Sequence, residues 1–198
     1  MISCTRSSLL LVTFLLLGVA SPCYAQATLN SSKTYDAVCS NYKTCNQPSS
    51  ATDFRGNTST YVYDPTTGQL LSETFPPDQN GTRKVRRFQY TLRHAWTGDG
   101  SGGYVQVADA ISVLTGERSC SSSATSTPVS YGSTCAAGAA DQVEIDYDYG
   151  SDAGPNNLLL KSKTIVSNGT ALRTCYGYDL QGNKIWETKP RAALSSCP

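Results

Sequence analysis

The sequence is constrained most by an alternating aromatic pattern that ends in a turn. Tyr61-Val62-Tyr63-Asp64 is followed by Pro65-Thr66-Thr67-Gly68 and then by Gln69 to Thr74. Tyr176-Gly177-Tyr178-Asp179 is followed by Leu180-Gln181-Gly182-Asn183 and then by Lys184 to Thr188. Side chains alternate across a strand, so each pair of tyrosines shares one face. Proline presets φ and glycine supplies a positive φ, so both linkers read as tight turns. An aspartate at the turn entrance can accept hydrogen bonds from the turn's own amides. Pro76-Pro77 and Pro190 stop the two return strands. Each segment is therefore expected to fold as a β-hairpin.

The spacing recurs. Phe88 and Tyr90 form a third aromatic pair, and Tyr147 and Tyr149 a fourth. The pairs begin at residues 61, 88, 147 and 176, separated by 27, 59 and 29 positions. A period of about 29 falls among repeat architectures. It places a missing unit near residue 117, where Cys120 and the serines after it read as a loop or insertion pinned by Cys120 and Cys135. In the segment holding Tyr147, Val143, Ile145, Tyr147 and Tyr149 fall on one face, with Glu144, Asp146 and Asp148 on the other. That is the pattern of a half-buried strand. No sustained helical period follows the N-terminal segment, so the fold class expected is all-β.

The N-terminus reads differently. Arg6 precedes an apolar run from Leu9 to Ala20, shorter than the roughly 20 residues a membrane helix needs. Ser21-Pro22 breaks the run, and Cys23-Tyr24-Ala25 ends on a small residue. The expectation is a signal peptide over 1–25, an irregular polar lead-in over 26–57, and hairpin repeats over 58–198. Contact with a membrane is then expected only through the leader before cleavage. The chain is read as exported to the periplasm, cell surface or medium. Of eight cysteines, Cys4 and Cys23 leave with the leader. The six that remain, Cys39, Cys45, Cys120, Cys135, Cys175 and Cys197, read as disulfide partners in an oxidising compartment. Six cysteines leave the connectivity open, and local closure is the expected arrangement: Cys39–Cys45, Cys120–Cys135 and Cys175–Cys197.

The segment DFRGNTSTYVYDPTTGQLLSETF, residues 53 to 75, resembles the YD repeat of RHS (rearrangement hot spot) proteins, and residues 173 to 190 resemble it nearly as well. The resemblance rests on Tyr61, Tyr63, Asp64, Gly68, Tyr176, Tyr178, Asp179 and Gly182, with Tyr147 and Tyr149 as a partial copy. It implies hairpins winding side by side into an open, twisted, partly shell-like antiparallel sheet. In large members of that family the sheet closes into a hollow shell around a toxic domain, and the repeats themselves do no chemistry. Only four or five units are counted here. The expectation is an N-terminal or truncated piece of a larger RHS-type surface or toxin-delivery protein, or a short stand-alone relative. Its partners would be the remaining repeats or a cell-surface ligand. A small disulfide-stapled module that recognises glycans through Tyr61 or Tyr178 is the alternative.

Other chemistry is weakly signalled. Asp146, Asp148 and Asp152 flank Gly150 at a spacing that loosely suggests calcium, but the distal glutamate of a calcium loop is missing. His94 is the one histidine, and no Gly-x-Ser-x-Gly elbow accompanies it. Arg83, Lys84, Arg86 and Arg87 beside Phe88 and Tyr90 have the composition of a single-strand nucleic-acid site. The formal charge of +1 and the export signal favour a charged strand edge, with no nucleic-acid partner. Asn30, Asn57, Asn80 and Asn168 each begin an Asn-x-Ser/Thr triplet. No catalytic, cofactor-binding or metal-binding residues and no cofactor are assigned, and the chain is not expected to be an enzyme.

Overall fold

The computed structural model describes residues 30–125, 129–192, 194 and 196–198. The expected signal peptide lies outside the described residues. The chain forms one open antiparallel sheet in which each strand up to β10 pairs with its neighbour in sequence. The strands are β1 (Ser32–Thr34), β2 (Ser50–Thr52), β3 (Thr58–Tyr63), β4 (Leu70–Pro77), β5 (Arg83–Gly98), β6 (Tyr104–Cys120), β7 (Gln142–Asp148), β8 (Ser162–Ser167), β9 (Thr170–Tyr178), β10 (Lys184–Glu187) and β11 (Arg191–Ala192). β1 to β10 follow one another across the sheet, and β11 joins β10 along the outer edge of β9. Apart from one short 3-10 turn at Ala139–Asp141, no helix occurs among the described residues. The all-β class and both expected hairpins, β3–β4 and β9–β10, are present.

The turns share a chemistry. Four of them read Asp-x-x-Gly-x, starting at Asp53, Asp78, Asp99 and Asp179. In each, the aspartate N–H donates to the carbonyl four residues on, at 2.8–3.0 Å. One carboxylate oxygen accepts the N–H groups two and four residues ahead, at 2.8–3.0 Å. The glycine takes a φ between +80° and +95°. This is a three-residue hairpin loop with a left-handed residue before the closing pair, which only glycine adopts without strain. The turn after Asp64 is one residue longer: Asp64 N–H donates to the Gln69 carbonyl at 2.8 Å. Asn168-Gly169, with φ of +49° and +74°, closes the two-residue turn between β8 and β9.

Two expectations need correction. The segment near residue 117 is not a loop. It lies within β6, which with β5 makes the longest hairpin of the sheet. The insertion begins after Cys120 and returns to the sheet at Gln142, and the Cys120–Cys135 bridge closes its neck. Nor is the lead-in over 26–57 wholly irregular. Ser32–Thr34 and Ser50–Thr52 pair with each other, and the second pairs with β3. Both are three residues long, too short for a period to show in the sequence.

Little of the sheet is buried. Among the described residues the buried hydrophobic side chains are Cys45, Val85, Phe88, Cys120, Cys135 and Cys175, so sulfur outnumbers carbon side chains in the interior. The three disulfides are Cys39–Cys45, Cys120–Cys135 and Cys175–Cys197, each closing a local loop. A thin core cannot offset much conformational entropy, so cross-links that restrict the unfolded chain carry more of the stability here than in a packed domain. The bridges are consistent with an extracellular protein.

Candidate functional site

The recurring tyrosines are placed by the register of the sheet. Within three of the four aromatic pairs, the second ring reaches across to a leucine carbonyl before it on the chain. Tyr90 donates to the Leu70 carbonyl at 3.1 Å, Tyr149 to Leu114 at 3.1 Å, and Tyr178 to Leu160 at 2.9 Å. In the fourth pair the Tyr61 and Tyr63 rings lie 6.4 Å apart, within the range of aromatic contacts. Cationic side chains lie over many of these rings: Arg86 over Phe88, Lys163 over Tyr147, Arg93 over Tyr149, Lys184 over Tyr176 and Lys161 over Tyr178, at 5.2–5.7 Å. The Tyr90, Tyr149 and Tyr178 hydroxyls therefore tie each strand to the one before it in the sheet, and the strand cations cover the rings.

Asp64 and Asp179 serve their turns. Asp64 Oδ1 accepts Thr66 and Thr67 N–H at 2.7 and 2.8 Å, while Asp179 also takes the Asn183 amide at 2.9 Å. Gly68, at φ +78°, packs against the Cys39–Cys45 loop, whose Asn41 amide donates to the Pro65 carbonyl at 2.7 Å. Gly182, at φ +86°, completes the last of the Asp-x-x-Gly turns. Asn57 and Asn80 lie in such turns and Asn168 in the two-residue turn, each followed within two residues by a threonine that opens or immediately precedes a strand. Turn chemistry thus accounts for these three Asn-x-Ser/Thr triplets.

The basic run is split rather than presented as one face. Arg86 pairs with Glu117 at 2.9 Å and Glu73 at 3.7 Å, and Glu117 also accepts the Tyr147 hydroxyl at 2.7 Å. These contacts cross β4, β5, β6 and β7. Arg87 points the other way and is fully buried. Its Nη2 lies 3.1 Å from Gln142 Oε1 and 3.2 Å from Cys120 Sγ, while Nε and Nη1 have no hydrogen-bond partner. Burial lowers its pKa, and Arg118 nearby adds repulsion. Arg87 has no carboxylate in ion-pair range among the described residues. Replacing it by methionine, which keeps much of the volume and removes an incompletely paired charge, is expected to hold stability within about 1 kcal/mol or raise it. Arg87→Ala, which leaves a cavity, is expected to lose about 3 kcal/mol. Urea midpoints of the two variants decide it, and equal large losses would show that the guanidinium itself is required.

The titratable groups favour neutral pH. For Glu117, burial opposes ionisation, but hydrogen bonds from Tyr147 and Arg86 outweigh it and hold the pKa below the ordinary range. Asp53 is lowered chiefly by the Asn57 amide, Asp64 by Thr67 N–H, Asp99 by Ser101 N–H and Asp179 by the Asn183 side chain. Depressed carboxylates contribute stability above their unfolded pKa of about 4 and lose it as pH falls through the lower folded values. Asp146 opposes them, because burial and Glu144 raise its pKa. The lowered groups outnumber it. The urea midpoint is therefore expected to be flat from about pH 6 to 8 and to fall below about pH 4. A midpoint that rises into acid would contradict this balance.

The remaining candidates separate. Asp148 accepts Gly150 N–H at 2.8 Å, and Asp152 pairs with Arg93 at 3.2 Å. Among the described residues no group of three or more His, Cys, Asp or Glu side chains is placed to hold a metal ion. The His94 carbonyl accepts the Asn157 amide at 2.6 Å in the middle of the long hairpin. Sequence reasoning missed three devices: the shared Asp-x-x-Gly turn, the Asn168-Gly169 hairpin and the buried Arg87. The first two were legible as a fixed offset and a dipeptide. The third leaves no trace in a run of basic residues.

No family model matches the chain, and no curated protein matches it.

Proposed function

We propose that the chain is a non-catalytic structural segment of YD-type hairpin repeats, exported as part of an RHS-type surface or toxin-delivery shell. The observation that carries this reading is the repeated bond from Tyr90, Tyr149 and Tyr178 to a leucine carbonyl. Side chains that recur in the sequence are spent on joining one hairpin to another, as a scaffold requires. The Asp-x-x-Gly turns add the same economy at the sheet margins. Among the described residues β1 lies at one edge of the sheet and β10 and β11 at the other, where further hairpins would continue it. Three local disulfides suit a sheet assembled outside the cytoplasm.

The test expresses the chain with its own leader in the cell that produces it and cross-links intact cells. The expected product starts at Gln26, has no free thiol, and is cross-linked to other chains carrying Tyr-x-Tyr-Asp hairpins. Recovery of a reduced chain in the cytosol, or of an exported chain cross-linked to nothing of that pattern, would overturn the proposal.

A further inference from the structure

The pairing of β4 with β5 ends at Ser72 opposite Arg87, and just beyond it β5 and β6 lose their regular register. The pairing shifts between Gln89 and Tyr90, so Gln89 faces Gly116 while Tyr90 faces Leu114. A cleft of about 350 Å³ opens there, at the small end of the ~300–1,000 Å³ typical of ligand pockets. Tyr131, brought over from the insertion, closes one side. A side chain on Gly116 would overlap the Tyr131 hydroxyl, so the glycine makes room for that ring. Arg118 stacks on the Tyr131 ring at 4.4 Å, and the Cys120–Cys135 bridge anchors the segment that carries it.

The polar groups of the cleft are fixed and retain bonding capacity. Ser112 donates to Gln69 Oε1 at 2.8 Å, which orients the amide and leaves its NH₂ without a partner among the described residues. Asp64 Oδ1 accepts the Thr66 and Thr67 N–H groups of its own turn, which fixes the carboxylate at the cleft rim. The Gln89 side chain is exposed and has no hydrogen-bond partner among the described residues. The Tyr90 hydroxyl is committed to Leu70, so its ring offers an apolar wall beside Leu92. No lysine, arginine or histidine lines the cleft, which disfavours phosphate and carboxylate ligands. Two planar amides and a carboxylate beside ring and aliphatic surface match a molecule with hydroxyls on its rim and C–H groups on its faces.

We infer that this cleft binds one residue of a neutral saccharide, with Gln69, Gln89 and Asp64 taking its hydroxyls and Tyr131 and Tyr90 its apolar face. The inference goes beyond the scaffold reading and does not rest on it, because it uses the Gln69 NH₂ group and the exposed Gln89 side chain rather than the tyrosine hydroxyls bonded between strands. It also moves the expected sugar contact away from Tyr61 and Tyr178, the latter of which has its hydroxyl occupied by Leu160.

The experiment titrates the full mature chain, disulfides intact, by calorimetry with maltohexaose, cellohexaose and chitohexaose, and with heparin and spermine as charged probes. At least one neutral hexasaccharide is expected to bind with Kd below about 1 mM, with little dependence on salt. Gln69→Ala with Gln89→Ala is expected to weaken it about tenfold or more, with Gln89→Ala alone giving part of the loss at an unchanged Tm and Tyr61→Ala none. No binding of any neutral probe, binding only of heparin or spermine, or equal affinity in the double glutamine variant would each overturn the assignment.

Discussion

Removing the Cys120–Cys135 bridge by the paired change Cys120→Ala and Cys135→Ala is expected to cost about 3 kcal/mol, and more if Tyr131 leaves the sheet. The bridge spans 15 residues, and closing a loop of that length in the unfolded chain accounts for about 3 kcal/mol in the chain-entropy model. Both cysteines are 2% exposed, so truncation also leaves a void beside Arg87 and Gln142. The insertion holds Tyr131 over Gly116 and places Asp141 to accept the Ser122 N–H at 2.6 Å. Losing its anchor frees both. Urea unfolding measures the loss, and a rise in m is expected because the unfolded chain expands without the cross-link. The Cys39–Cys45 bridge spans 6 residues and is expected to contribute less, about 2 kcal/mol. Equal midpoints for the wild type and the Cys120–Cys135 variant would mean that the insertion holds the sheet through other contacts.

Gly68→Val is expected to cost at least about 2 kcal/mol, from two separable causes. Gly68 has φ +78°, where a β-branched residue is strained. A Cβ there would also lie 2.6 Å from the Lys43 carbonyl oxygen, so the Cys39–Cys45 loop must move. Gly81 has φ +80° with open space around it. Gly81→Val therefore carries the backbone term alone, and the difference between the two variants measures the packing of the turn on the loop. Thermal melting resolves both. A Gly68→Val melt no lower than that of Gly81→Val would remove the packing claim.

Much of this fold was legible because its local rules are strong. Tyr61 and Tyr63, Asp64 and Gly68 fix a strand, a turn entrance and a left-handed residue within eight positions. Tyr176 to Gly182 do the same. The cysteine spacing left the connectivity open, and the expected local closure is the arrangement found. The long β5–β6 hairpin was less legible. Tyr104 to Ile111 is exposed throughout, so its apolar residues Val105 and Val107 pack against nothing that would make a period meaningful. β7 shows the same limit. Val143 to Ile145 is half-buried on both faces, because Arg118 binds Glu144 at 2.7 Å from beneath the insertion. The alternation expected of a one-sided strand holds only from Ile145 onward. β1 and β2 were invisible because three residues carry no pattern.

The site was less legible than the fold. The tyrosine spacing pointed to a repeating role, but the partner of each hydroxyl is a backbone carbonyl, which no side-chain pattern encodes. Arg86 and Arg87 are adjacent and chemically alike. Strand alternation sends one to Glu73 and Glu117 and the other into the interior, with opposite consequences for stability. The cleft between the Asp64 turn and Tyr131 joins residues from distant parts of the chain, a juxtaposition that no local pattern encodes.

The central claim is that hairpins are joined by one repeated bond, and the most direct test removes that bond at each place. Tyr90→Phe, Tyr149→Phe and Tyr178→Phe each delete a hydroxyl that donates to a leucine carbonyl and leave the ring in position. Urea unfolding of the three variants is predicted to show losses of similar size, about 1 kcal/mol each, with unchanged m. The sites lie on different hairpins, so the triple variant is predicted to lose close to their sum. A loss confined to one position, or none at any, would contradict a repeating unit and leave three unrelated tyrosines in a sheet.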